Sequence, residues 1–283
     1  MTVSRFSAVV AATLLATSAT TAFAQDADAD HSRLTIGVGA AMVPSYEGSD
    51  DYVVTPAAAV NGKVHDFAFW SRGTALYVDA IPNTNPNGWD FQLGPYASVN
   101  LDRTGRIKDR RVKALGELDT AIELGGFAGI GKTGVITSAY DTLNFTVAYG
   151  KDVADAHDSY VITPTLQYFT PLSTKAFVTT GVSAEYVGKG YGRYYFDITP
   201  AASASTGGLL PAYSRAGQDS GFKNLTFNLG TGYSLSGDLR RGWTVFALGA
   251  YTKMLGDYKR SPVVSIAGDS DQWVAAVGIG YTF

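Results

Sequence analysis

The strongest constraint on this chain is an alternation of apolar with small or polar residues that returns along almost its whole length. In 141–150, Leu143, Phe145, Val147 and Tyr149 point one way, and Thr142, Asn144, Thr146 and Ala148 the other. Phe91, Leu93, Ala97, Val99 and Leu101 alternate with Gln92, Gly94, Ser98 and Asn100. At the C-terminus, Trp273, Ala275, Val277, Ile279, Tyr281 and Phe283 oppose Val274, Ala276, Gly278, Gly280 and Thr282. A period of two marks a strand, because successive side chains leave opposite faces of a sheet. Twelve such segments can be drawn, near 33–43, 51–61, 63–71, 74–81, 89–101, 118–131, 133–149, 158–171, 174–186, 222–236, 240–255 and 270–283. No helical period of useful length and no Pro/Ser-rich linker interrupts them. Residues 33–283 therefore read as one all-β domain.

A water-soluble sandwich would alternate too. Three features favour a transmembrane antiparallel up-and-down β-barrel. Many segments exceed the usual ~5–6 residues of a strand and approach the ~9–11 that cross a bilayer at a tilt. The face opposite the apolar one is mostly Gly, Ser, Thr and Asn, and only 17% of the chain is charged; such a face suits a confined polar lumen. Aromatics gather near strand ends, at Tyr46, Tyr52, Trp70, Trp89, Tyr149, Tyr160, Tyr168, Tyr186, Trp243, Tyr251 and Trp273, as girdles at the two lipid–water boundaries do. Closure also removes the sheet edges that lipid cannot hydrate.

With the first strand rising from the periplasm, the periplasmic connections fall at Asn61-Gly62-Lys63, 82–88, Gly131-Lys132, 171–174 and 236–241. The outer ones fall at 44–50, 71–73, 102–117, 150–157, 187–221 and 256–269, and most of the longer links lie on that side. The short 71–73 link and the medium 82–88 link leave ten strands as an alternative count. In the longest outer loop, Tyr191-Gly192-Arg193-Tyr194-Tyr195-Phe196 reads as a hairpin that extends the barrel wall.

The termini carry addresses. Residues 1–24 read as a secretory signal, with Arg5, an apolar core over 8–16, and Ala22-Phe23-Ala24 before cleavage at Gln25. That core is too short for a ~20-residue membrane span. Residues 25–32 are acidic and small, a flexible mature N-terminus. Phe283, Tyr281 and Trp273 form the aromatic C-terminal pattern that outer-membrane barrels present to their insertion machinery. The expected location is the outer membrane of a Gram-negative bacterium.

Composition removes other classes. A net charge of −3 gives no drive toward nucleic acid. With no cysteine there is no disulfide, thiolate metal site or thiol nucleophile. Gly126-Phe127-Ala128-Gly129-Ile130-Gly131-Lys132-Thr133 fits the phosphate-loop pattern, but the alternating segment after it cannot supply the helix such a loop needs. Gly131-Lys132 is expected to be a hairpin turn. The three histidines, His31, His65 and His157, are scattered without clustered carboxylates, a poor metal site. His65 beside Asp66 reads as a polar pair, and no nucleophile elbow is present. No catalytic residue, metal or cofactor is expected.

Two groups of charges remain. Arg103, Arg106, Lys108, Arg110, Arg111 and Lys113 crowd one outer loop, placed to meet lipopolysaccharide phosphates or simply solvated, with Asp102 and Asp109 among them. Glu123 and Glu185 alternate with apolar neighbours and should face the lumen. They would tune passage of polar solutes or pair with inward bases such as Lys223 and close the interior.

Gly37-x-Gly39 followed by Pro44-Ser45-Tyr46-Glu47-Gly48-Ser49-Asp50 resembles the opening of the MipA/OmpV family. The far end is similar too, in Gly256-Asp257-Tyr258, Ser261-Pro262, Gln272-Trp273 and Gly278-Ile279-Gly280-Tyr281-Thr282-Phe283. The resemblance runs over residues 33–283. It implies an outer-membrane barrel and, from the family's named member, a scaffold that bridges a lytic transglycosylase to a bifunctional penicillin-binding protein. Other members are porin-like, adhesive or stress-linked. The expectation is therefore a non-enzymatic scaffold for peptidoglycan-remodelling enzymes. A narrow porin-like channel for small polar solutes is the alternative, and a lipid-modifying enzyme a third option.

Overall fold

The computed structural model describes residues 32–64, 67–83 and 88–283. Ala22, Ala24, Gln25, His31 and His65 lie outside the described residues. Among the described residues there are twelve strands: β1 (Arg33–Pro44), β2 (Tyr52–Val64), β3 (Phe67–Arg72), β4 (Ala75–Asp79), β5 (Trp89–Asn100), β6 (Ala121–Thr133), β7 (Thr142–Asp152), β8 (Tyr160–Pro171), β9 (Ala176–Val187), β10 (Gly221–Ser234), β11 (Gly242–Met254) and β12 (Asp271–Thr282). Each pairs antiparallel with its sequence neighbour, and β1 closes on β12 from Thr35↔Thr282 to Met42↔Ala275. The count is twelve rather than ten, because the short β3 and β4 each have a neighbour on both sides.

The alternation sets the two faces of the wall. On β7, Thr142, Asn144, Thr146 and Ala148 are buried inside, while Phe145 and Tyr149 are exposed outside. Phe91, Leu166, Phe227, Leu229 and Val277 are likewise exposed. These residues belong to a continuous apolar exterior of the kind lipid covers. Among the described residues no helix is long and apolar enough to cross a membrane.

Two expected turns lie inside strands instead. Gly131-Lys132 belongs to β6, and the chain reverses over 134–141. Strand, not helix, stands on both sides of that reversal, so the phosphate-loop pattern has no helix N-terminus. Asn61-Gly62-Lys63 belongs to β2. Gly62 is there for close approach: a Cβ would stand 2.6 Å from the Phe69 ring and 2.8 Å from the Arg33 carbonyl oxygen. Two aromatics expected at the girdles face inward. Tyr46 is buried among the outer loops, and Trp70 stacks on Tyr77 in the lumen with Phe127 edge-on.

The outer loops do not prolong the wall. They fold into short helices: α1 (Arg110–Ala114), α2 (Lys189–Tyr195), α3 (Pro200–Ser205), α4 (Gly256–Arg260) and α5 (Pro262–Ser265). The segment expected as a hairpin is α2, whose Tyr191 and Tyr195, with Phe196 after them, are almost fully buried. Its Gly192 lies so close to the Ala216 carbonyl that no Cβ fits. Two apolar clusters hold the loops together. One joins Tyr191, Tyr195 and Phe196 to Met254, Tyr258 and Val264; the other joins Tyr46, Ile107 and Val112 to Ile198, Leu210 and Val263. Tyr46 also donates to the Ala267 carbonyl at 2.5 Å.

Candidate functional site

Beneath this cap, charged side chains from several elements converge inside the barrel. A β-bulge in β10 shifts the register between Phe222 and Asn224. A bulge adds a residue and re-aims side chains, and here both Lys223 and Asn224 are buried within the lumen. The Leu255 N–H donates to the Lys223 carbonyl at 2.8 Å and ties the bulge to the cap.

Lys223 is the hub. Its Nζ lies 2.6 Å from Glu47 Oε1 and 2.7 Å from Glu185 Oε2, and donates to the Tyr191 hydroxyl at 2.9 Å. Tyr191 donates in turn to Glu47 Oε2 at 3.1 Å and accepts from Asn100 Nδ2 at 3.1 Å. Asn224 Nδ2 donates to Glu185 Oε2 at 2.6 Å. The Glu47 N–H donates to Asp102 Oδ1 at 2.6 Å. One lysine thus ties the β1–β2 loop, the α2 segment and two strands into one network. Burial pushes the Glu47 carboxyl up to about 7; Lys223 opposes that rise, and Glu185 and Asp102 add to it. Burial likewise raises Asp102, against its bond from the Glu47 N–H and the charge of Arg103.

Glu185 and Lys223 therefore meet. Glu123 stands apart from them. It accepts from Ser98 Oγ at 3.0 Å, and its other oxygen lies 3.4 Å from His157 Nε2. His157, in the outer connection between β7 and β8 as expected, is buried, with its N–H on Asp152 Oδ2 at 2.7 Å. Serine, carboxylate and imidazole are present here in the wrong order for nucleophilic catalysis. The carboxylate sits between the other two, so the imidazole is not placed to take the serine proton.

The six basic residues of the β5–β6 loop divide by position. Arg103 turns inward, is buried, and donates from Nη1 to the Tyr195 carbonyl at 3.2 Å, pinning α2 from below. Arg111 is held by Asp109 at 2.6 Å, the residue that caps α1. Arg106, Lys108, Arg110 and Lys113 are exposed. Arg106 and Lys108 reach back to β2, at Thr55 and Tyr52.

The aromatic C-terminal set divides as well. Tyr281 packs edge-on against Trp243 and Phe283, with ring centroids 4.9 and 4.8 Å away. Trp273 lies at the other end of β12 beside Tyr251. Among the described residues no group of three His, Cys, Asp or Glu side chains could hold a metal ion.

Sequence reasoning missed the bulge, Glu47 and Tyr191 as members of the network. It also missed the cap helices, for which a local signal exists. Thr199-Pro200 and Ser261-Pro262 each place a capping hydroxyl before a proline at the first helical position.

The family model described as MltA-interacting protein MipA matches residues 36–283. No curated protein matches the chain. Among solved structures the chain is similar to an outer-membrane channel of Pseudomonas putida F1 at 10% identity and a TM-score of 0.42, covering 91% of this chain and 99% of that one. It is similar to the toluene transporter TodX of Pseudomonas putida at 9% identity and a TM-score of 0.37, covering 94% and 92%. The translocator domain of the autotransporter NalP from Neisseria meningitidis is similar at 14% identity and a TM-score of 0.34, covering 88% and 87%.

Proposed function

The chain belongs to the MipA family and resides in the Gram-negative outer membrane, and from that premise we propose that it is a non-enzymatic scaffold rather than a diffusion pore. The observation that supports this reading is the folded cap over the mouth. A porin needs a continuous aqueous path. Here Lys223, Glu47, Glu185 and Tyr191 cross the lumen, with two buried apolar clusters of loop residues above them. The non-enzymatic part is supported by the Ser98–Glu123–His157 order and by the burial of all three side chains.

The partner class comes from the family's description as MltA-interacting. It is a lytic transglycosylase, joined through the scaffold to a penicillin-binding protein. The face available to such enzymes is the periplasmic end, where the turns 134–141, 172–175 and 235–241 project. The test has two arms. Reconstituted in planar bilayers, the wild-type protein is expected to give no stable unitary conductance. Pull-down from solubilised envelopes is expected to recover peptidoglycan enzymes. Steady wild-type conductance, or recovery of no such enzyme, defeats the proposal.

The narrow channel is the second reading. It is favoured by the polar lining of the periplasmic half, where Thr142, Asn144, Thr146, Thr165 and Gln167 face inward.

A further inference from the structure

Most of the wall is held by long ladders, but one stretch is not. β1 and β2 pair over twelve positions, from Arg33↔Lys63 to Pro44↔Tyr52. On its other side β2 meets β3 over only four, Asn61↔Trp70 to Val64↔Phe67. The β3–β4 hairpin then turns back at Gly73-Thr74, so the outer half of β2 has no strand beside it.

The groups facing this gap can be identified. The Val60 N–H donates to Ser71 Oγ at 3.0 Å, and Ser71 Oγ donates to the Val60 carbonyl at 3.3 Å. Val60 therefore turns its backbone polar groups toward β3. In an antiparallel ladder every second residue does the same, which assigns Ala58, Pro56, Val54 and Tyr52 to that side. Among the described residues no strand pairs with these four there. An open edge in hydrocarbon is not tolerated unless something polar meets it.

The depth of the gap follows from its upper end. The Trp273 N–H donates to the Tyr52 hydroxyl at 3.2 Å. Trp273 and Tyr251 pack together there as part of the outer aromatic belt. The gap begins at headgroup level and runs down into the outer leaflet. Two exposed cations stand at its top. Lys108 Nζ donates to the Tyr52 carbonyl at 2.5 Å, and Arg106 Nη1 to Thr55 Oγ1 at 2.8 Å. Beside and below them the outward side chains are apolar: Val54 is 73% exposed, and Pro56 and Ala58 are exposed too.

Cations above and apolar surface below complement an amphiphile with an anionic head. They do not suit an added strand, because Pro56 has no N–H and breaks the row of donors that strand pairing needs. We infer that the gap between β2 and the β3–β4 hairpin is a docking site for a phosphorylated outer-leaflet glycolipid of the lipid A type. Arg106 and Lys108 hold a phosphate, and an acyl chain lies over Val54 and Ala58. The amide and hydroxyl groups of such a lipid meet the backbone groups of Val54 and Ala58. Arg110 and Lys113, exposed on helix α1 of the same loop, serve as the internal control.

The test is native mass spectrometry of the full mature protein in detergent. It is offered bis-phosphorylated lipid A, dephosphorylated lipid A or phosphatidylethanolamine. The wild type is expected to retain the bis-phosphorylated lipid alone. R106A/K108A should lose retention roughly thirtyfold, the effect of two cations beside an anionic lipid. R110A/K113A should retain it as the wild type does. Heat-modified gel migration checks folding, and R106Q/K108Q replaces the alanine pair if that pair does not fold. Because the chain has no cysteine, Val54→Cys carries a unique photo-crosslinker, which should capture lipid. Equal retention of the dephosphorylated lipid, equal loss in both double variants, or a crosslink from position 54 to a second protein chain would each overturn the site.

Discussion

At the outer end of the barrel, several loops bring two buried apolar clusters and the Lys223 ion pairs over the lumen. At the periplasmic end the described connections, 134–141, 172–175 and 235–241, are shorter than 187–221. There the inward hydroxyls of Thr142, Thr146 and Thr165 have no hydrogen-bond partner among the described residues. The wall between the two ends is the same sheet with the same alternation. The difference therefore lies in what the connections supply. Residues 187–221 are long enough to carry their own apolar side chains back onto the axis. A short turn can only reverse the chain and satisfy its own backbone. The mouth is a small folded structure resting on a barrel, and it is expected to unfold separately from it.

Removing Lys223 should separate the two ends most sharply. K223A leaves the half-buried Glu47 and Glu185 facing each other with no cation. Breaking a buried pair in this way costs about 3–5 kcal/mol. The loss should fall on the cap, because the closed ladders of the wall do not depend on this side chain. Limited proteolysis within 187–221 should accelerate, unitary conductance should appear, and the heat-modifiable barrel band should persist. Loss of the barrel band with the cap would show that the two regions are one cooperative unit.

At the periplasmic end, Asp141 is an acid held by several hydrogen bonds. Burial alone would raise its carboxyl. The Thr137 N–H, the Tyr168 hydroxyl and the N–H groups of Val135 and Ile136 instead hold it well below the usual carboxylate range. Asp141 thus organises the whole 134–141 turn. D141A should cost about 1.5–3 kcal/mol, the range for bonds to a charged acceptor. Because the folded value is depressed, this stabilisation is present above about pH 4 and is lost as the pH falls further. Urea unfolding of the detergent-folded barrel between pH 3 and 7 measures it. A flat wild-type profile over that window would remove Asp141 as the anchor of the turn.

The cap should respond to pH in the opposite sense. The Glu47 carboxyl is raised to about 7, chiefly by burial, against about 4.3 in an unfolded chain. The folded cap therefore binds this proton more tightly. Its contribution is complete below the unfolded value and declines as pH rises toward 7. Protection of 187–221 from protease should weaken from pH 4.5 to 7.5 in the wild type, and E47Q should flatten that slope. An unchanged slope in E47Q would assign the dependence to another group.

The wall was legible in the sequence because it follows from one repeated physical rule. Lipid outside and a confined lumen inside force a period of two, and the order of Thr142 to Tyr149 displays it without any partner strand in view. The network beneath the cap was only half legible. Glu185 and Lys223 were placed inside by alternation. The bulge that turns Lys223 and Asn224 inward together breaks that same rule, and nothing in the local sequence marks it. Glu47 and Tyr191 lie in loops with no period at all. Their partners are 177 and 91 positions away in the chain, at Asn224 and Asn100, so only the closed barrel brings them together. The helices α3 and α5 fall between these cases. Their Thr-Pro and Ser-Pro starts are local signals, but runs of six and four residues are too short to show a helical period.

The smallest expected effect sharpens the contrast between the ends. Thr146 and Thr165 are buried in the lumen wall with hydroxyls that make no hydrogen bond among the described residues. A buried donor without a partner already carries its desolvation cost in the folded state. Replacing it with an isosteric methyl removes that cost and leaves the packing in place. T146V should therefore change stability by no more than about 1 kcal/mol, and in the stabilising direction if it changes at all. In the cap, Ser261 donates from its hydroxyl to the Phe196 carbonyl at 2.5 Å and accepts from the Val263 N–H at 3.4 Å. S261A should cost more than T146V, because it leaves both of those partners unsatisfied in a fully buried site. Equal effects in urea unfolding would mean that the Thr146 hydroxyl is satisfied by solvent reaching the lumen from the periplasm. That outcome would also strengthen the channel reading over the sealed scaffold.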